Sequence, residues 1–409
     1  MKVWKKYNQD QIKKRVFDAL DNNVNYFEEN VLGIPATYLD SRVFSQDEMF
    51  LKDAPYITTL IHNPNHIGCH TLGLSESYFK GTHEIEKELL DICAIDILKC
   101  DPGSFDGYVA AGGTEANMQA IWVYRNYFIN ELKAKREEIC ILYSEDCHYS
   151  MEKSGNVLVL EMCEVKVTES TREITYNAVK KAVLRAQSEG KKYFIVVSNM
   201  MTTMFGSIDD VDVYSDVLLE LNCEFKIHID GAFGGFYYPF TDSESKLTFL
   251  NPHITSFTLD AHKMAQAPYG TGIFIIRKGY IHHANTQEAG YLEGDDYTLS
   301  GSRSGANAVA AWMILAKNGP YGWQEKIFIL QKRTDWMCKK LRELNIELYR
   351  HLKSNILTIR AKYISKELAH DFGLVPDNQT EPKWYKIVIM EHVTIERLLP
   401  LIERLQGNK

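Results

Sequence analysis

Between residues 107 and 276 the chain repeats one pattern, and that pattern leaves few folds open. Short apolar runs occur at 107–111, 139–143, 157–160, 193–198, 225–230, 256–259 and 272–276. Helix-like stretches lie between several of them, at 114–135, 176–188 and 211–221. Short apolar runs without a polar face suit strands buried on both sides, and the helices are the crossovers that parallel strands need. The spacing therefore predicts an α/β fold built on a mostly parallel sheet covered on both faces. Ligands of such sheets bind beyond the carboxyl ends of the strands.

The flanks read differently. Ile12, Val16, Ala19, Leu20, Val24 and Phe27 keep helical spacing in an otherwise charged segment, which predicts an N-terminal helical arm. A second helix is expected over 82–99, with Thr82 as its cap. The polar, glycine-containing stretch 277–298 predicts a boundary. Beyond it, helices at 306–317, 323–344 and 394–405 and strands at 346–349, 356–359 and 384–389 form a small α+β domain. The chain is thus divided into an arm (1–55), a large α/β domain (56–285), and a lid loop with the small domain (286–409).

Composition narrows the function. Over 409 residues, 45% are hydrophobic and 24% charged, as in a globular protein. A net charge of −8 argues against nucleic-acid or membrane-surface partners, which attract basic patches. No apolar run is long enough to cross a bilayer, and the first nine residues lack the apolar stretch of a secretory signal. The eight cysteines have no paired spacing, which fits a reducing cytoplasm.

Four segments at strand ends carry candidate chemistry. Ala111-Gly112-Gly113-Thr114 joins a strand to a helix, where backbone N–H groups and the Thr114 hydroxyl can hold a phosphate. A capped glycine turn looks the same in isolation. His148 follows a strand and could lie over an aromatic ring, although a lone His is more often a helix-start residue. Asp230, in Ile229-Asp230-Gly231-Ala232, ends a strand and needs a cationic or protonated partner if buried, unless it caps a turn. Lys263, in Asp260-Ala261-His262-Lys263, follows an apolar strand. Held out of water, its amine would have a lowered pKa and could form a Schiff base; a strand-end lysine can also simply reach solvent. A carboxylate that keeps a pyridine ring protonated and an amine that forms a Schiff base are what pyridoxal phosphate chemistry needs most.

The order of these segments resembles the pyridoxal-phosphate-dependent group II amino acid decarboxylases over roughly residues 78–311. The resemblance implies fold type I of the pyridoxal-phosphate enzymes, with a seven-stranded, mostly parallel sheet. It also implies roles. Lys263 would bind the cofactor covalently, Asp230 would pair with the pyridine nitrogen, and His148 and Ala232 would face the two sides of the ring. Gly113 and Thr114 would bind phosphate, and Thr203 and His262 would contact the cofactor. Ser302, in Ser300-Gly301-Ser302-Arg303, would reach the phosphate of a second subunit, which implies a homodimer with shared active sites. The chain departs from several relatives in having Asp260 in place of Asn or Ser.

The implied reaction, in amino acid metabolism, is α-decarboxylation of an L-amino acid to its amine and CO2. Tyr291, in the glycine-bounded loop 290–294, is the candidate proton donor to the α-carbon. His62, His66 and Arg303 are candidate substrate contacts, and as cations would favour an acidic side chain. His66, Cys69 and His70 lack a full ligand set, so no metal is expected. Rival readings are another carbon–carbon lyase, an aminotransferase, or a non-catalytic binding protein.

Overall fold

The computed structural model describes residues 80–241, 245–285 and 295–407, with 30–33, 40, 42, 56, 67–69 and 73 before them. The helical pattern expected over residues 9–29 lies outside the described residues, as do His62, His66, His70 and Tyr291.

The apolar runs become one sheet of seven strands: β1 (Phe105–Ala110), β2 (Ile139–Ser144), β3 (Glu161–Val165), β4 (Tyr193–Asn199), β5 (Glu224–Gly231), β6 (Ile254–Asp260) and β7 (Gly272–Arg277). Their spatial order is β1-β7-β6-β5-β4-β2-β3. Strands β3, β2, β4, β5 and β6 run parallel, and β7 lies antiparallel between β6 and β1. Residues of β2, β4, β6 and β7 are almost all buried. Successive side chains serve opposite layers. Ile139, Ile141, Ile195 and Val197 pack with the helix α2 (Gly113–Glu131), while Cys140, Leu142, Phe194 and Val196 pack with Val179, Val183, Val217 and Leu218 of the helices Tyr176–Ser188 and Val211–Glu220.

The helices follow the pattern with one correction. Before α2 comes α1 (Lys80–Asp91), and after it come α3 (Ser150–Leu158), α4 (Tyr176–Ser188) and α5 (Val211–Glu220). The run 157–160 was expected to be a strand, but it is the end of α3 and the turn after it. Val157 and Val159 face solvent there, and Val159 takes a left-handed conformation at φ 53°. The strand is the polar stretch Glu161-Met162-Cys163-Glu164-Val165. It pairs only with β2, so as an edge strand it needs no continuous apolar run.

Helix α6 (Gly305–Glu343) breaks at Gly319, where φ is 62° and Pro320 follows, between the two expected segments. A smaller antiparallel sheet completes the chain, in the order β10 (Val375–Pro376), β11 (Trp384–Val388), β9 (Ile356–Arg360) and β8 (Leu348–Tyr349). Helices α7 (Lys366–Asp371) and α8 (Ile395–Gly407) accompany it. Among the described residues no helix is long and apolar enough to cross a membrane.

Candidate active site

The carboxyl ends of β1, β2, β4, β5 and β6 converge on one cavity of about 560 Å³. Strand β1 delivers Gly113 and Thr114, the loop after β2 delivers His148, and β4 delivers Asn199 and Thr203. Strand β5 delivers Asp230 and Ala232, and β6 delivers Asp260, His262 and Lys263. Segments more than a hundred residues apart in sequence thus share one wall, as the parallel topology requires.

Two carboxylates organise that wall. Asp230 accepts hydrogen bonds from the Ala232 backbone N–H at 3.1 Å and from Asn117 Nδ2 at 2.9 Å. Asp260 Oδ2 lies 3.2 Å from Lys263 Nζ and 3.4 Å from His262 Nε2. The lowered amine pKa expected for Lys263 is not what its surroundings produce. Burial works against its ammonium, but Asp260 and Asp230 outweigh burial and hold its pKa above the ordinary lysine value.

The two imidazoles shift the other way from Lys263. Burial pushes both His148 and His262 down, against the pull of Asp230 on the first and Asp260 on the second. The Ser150 backbone N–H donates to His148 Nδ1 at 3.3 Å, so a neutral His148 carries its proton on Nε2. His262 stacks on the Tyr269 ring at 4.9 Å.

The site fits pyridoxal phosphate. Asp260 Oδ1 and His262 Nδ1 are buried with no hydrogen-bond partner, which is costly unless something else supplies one. A Cβ built on Gly113 would sit 2.7 Å from Asp260 Oδ2 and 3.2 Å from Ala232 Cβ, so only glycine leaves this floor open. The first turn of α2 presents its unpaired N–H groups here, with Thr114 beside them.

Arg303 corrects an expectation. It was a candidate for an acidic substrate, yet its guanidinium is bound to both oxygens of Glu86 and donates to the Gly68 carbonyl at 2.7 Å. Both side chains are almost fully buried. Ser302 is exposed and does not line this cavity, whereas Ser300 and Leu299 do. Asn117 and Asp260 escaped the sequence reading as polar contacts. Asn117 stands four residues after Gly113, one helical turn along the same face, and that spacing was the available signal.

A doubly wound sheet with an amine, two carboxylates and a helix N-terminus at its switch point defines an enzyme of the pyridoxal-phosphate class. The conserved domain of the pyridoxal-dependent decarboxylases matches residues 84–352, and the chain belongs to that family. It is 51% identical to a tryptophan decarboxylase of Clostridium sporogenes over 404 residues, covering 98% of this chain and 97% of the relative. It is 30% identical to a probable L-aspartate decarboxylase of Archaeoglobus fulgidus, over 84% of this chain and 93% of the relative. Among solved structures it superposes on L-methionine decarboxylase from Streptomyces with a TM-score of 0.77 at 23% identity, covering 98% and 95% of the two chains. A sphingosine-1-phosphate lyase of Burkholderia pseudomallei gives 0.79 at 17% identity, covering 100% and 91%. The last two likenesses speak for the fold. The protein is a carboxy-lyase that uses pyridoxal phosphate to decarboxylate an L-amino acid.

Proposed function

We propose that the substrate is an aromatic L-amino acid, tryptophan foremost. The observation that carries this reading is the 51% identity, over nearly the whole of both chains, to a tryptophan decarboxylase. The cavity supports it: Met118, Met201, Phe233 and Leu299 give its wall apolar surface. With Arg303 committed to Glu86, one of the three cations invoked for an acidic side chain is spent. The test is a panel of tryptophan, tyrosine, phenylalanine, methionine, aspartate and glutamate, read as amine released. Tryptophan should give the highest kcat/KM, and faster turnover of aspartate or glutamate would overturn the reading.

In this proposal Lys263 forms the covalent link to the cofactor, and Asp230 faces the ring nitrogen. His148 and Ala232 bracket the ring, Gly113 and Thr114 receive the phosphate, and Thr203 and His262 complete the enclosure. When bound, pyridoxal phosphate supplies a protonated ring that accepts the electron pair left as CO2 departs. The chain's own part is to hold the amino acid, exclude water and manage protons. Asp260, 3.2 Å from the Lys263 amine, favours its charged form and fixes its position. Tyr291 returns a proton to the α-carbon. Ser302, exposed on one subunit, reaches the site of another in a homodimer. The eight free thiols support a cytoplasmic setting.

A further inference from the structure

Behind Asp230 lies a set of buried polar side chains, of which only Asn117 has entered the account so far. Strand alternation puts His228 on the same face of β5 as Asp230. The register of β5 on β6 then pairs His228 with Ser256 and Asp230 with Thr258. On α2, Asn117 and Tyr124 stand two turns apart on one face. All five side chains are at most 1% exposed, so they satisfy one another without solvent.

The contacts form a line. Asn117 Nδ2 is 2.9 Å from Asp230 Oδ2, and Asn117 Oδ1 is 2.9 Å from His228 Nε2. His228 Nδ1 is 2.7 Å from Ser256 Oγ, which meets the Tyr124 hydroxyl. Thr258 Oγ1 lies 3.1 Å from His228 Nε2 and shares its proton. Chemistry leaves two ways to orient the line. If Asp230 is a carboxylate, Asn117 donates to it and must accept with its carbonyl from Nε2–H. Nδ1 then accepts from Ser256, and Ser256 accepts from Tyr124. The opposite orientation requires a protonated Asp230.

We propose that Tyr124, Ser256, His228 and Asn117 form one directed hydrogen-bond chain that positions Asp230 and keeps it an anion, so that the proton shared with the cofactor ring stays on the ring nitrogen. A carboxylate that accepts hydrogen bonds binds a proton less tightly. Links in a dry, aligned chain also strengthen one another. A neutral imidazole suits the middle link, since it offers one donor and one acceptor; burial pushes His228 down to about 4, with Asp230 pulling the other way. The four are positioning residues, since Asp230 alone faces the ring.

The test uses the full-length enzyme. The affinity of the apoenzyme for pyridoxal phosphate and the pH midpoint of the bound cofactor's visible absorbance are measured for His228→Leu and Tyr124→Phe. For His228→Leu, which removes the hydrogen bond that orients Asn117, cofactor binding should weaken about tenfold, and the midpoint should move by about half a unit or more. Tyr124→Phe, which removes a single hydroxyl at the far end, should move both in the same direction by less. Nitrogen-15 labelling of histidine should show His228 protonated on Nε2. Protonation on Nδ1 would overturn the proposal, as would a folded His228→Leu or Tyr124→Phe enzyme with lowered thermal stability but unchanged affinity and midpoint. If His228→Leu does not fold, Tyr124→Phe and the labelled wild-type enzyme decide.

Discussion

Glu86 and Arg303 meet across 217 positions of sequence in an ion pair sealed from solvent. Glu86 also accepts from the Val109 backbone N–H at 2.7 Å, so one carboxylate ties α1 and the segment before α6 to strand β1. Arg303→Met would strand a buried carboxylate and should cost about 3–5 kcal/mol. The double variant Glu86→Leu/Arg303→Met should lose less than the single one, because no uncompensated charge remains. Urea denaturation of the three proteins checks both statements.

Lys386 crosses from the small sheet to the cofactor wall, donating to the Thr203 carbonyl at 3.1 Å. Burial, then repulsion from Lys263, brings its pKa down to about 8. Folding therefore favours the neutral amine. The unfolded chain binds this proton at higher pH than the folded one, so stability from this group is complete above the ordinary lysine pKa and falls as pH drops to 8. Lys386→Met should then stabilise the apoenzyme at neutral pH by about 2 kcal/mol, net of the lost hydrogen bond. The gain should vanish above about pH 10. Denaturation midpoints at both pH values measure it.

Six histidines, at 148, 228, 262, 283, 351 and 392, have pKa values lowered chiefly by burial. Each contributes stability that is present above its ordinary value of 6.5 and is lost as pH falls through the folded value, which for His228 is about 4. Asp209 opposes them: burial raises it to about 7, so its contribution is present at low pH and is lost as pH rises through 7. A His228→Leu apoenzyme should therefore lose less stability than the wild type between about pH 6.5 and 4, the difference approaching about 3 kcal/mol. Urea midpoints of the two proteins across that range check it, and a difference that does not change with pH would contradict it.

Tyr291→Phe tests the proposed proton donor. Loss of a general acid should lower kcat by about a hundredfold and leave KM within about twofold. Steady-state kinetics on the preferred amino acid separate this from a binding role, which would raise KM instead.

Much of this was legible because buried parallel strands announce themselves. Six of seven apolar runs became strands, and the residues that end them, Asp230 above all, fell where the pattern put them. The third strand was not legible, because an edge strand has one neighbour and Glu161 and Glu164 cost it nothing. The charge state of Lys263 was out of reach for a different reason. Burial was readable from the apolar strand, but not that Asp260 would turn back on the amine it precedes by three residues. Arg303 misled because a cation in a recognised motif invites an anionic ligand, and only tertiary structure reveals that Glu86 already occupies it.

The pairing of β5 with β6 has a further consequence. Asp230 lies opposite Thr258, and Asp260 follows two residues later on the neighbouring strand. The span between the two acids is thus set by the pitch of the main chain, about 4.8 Å sideways and 3.3 Å per residue lengthwise, rather than by rotamers. Backbone acts here as a ruler that fixes the separation of the two acids. Evolution could recut the surrounding pocket for a new side chain while that measure stayed the same.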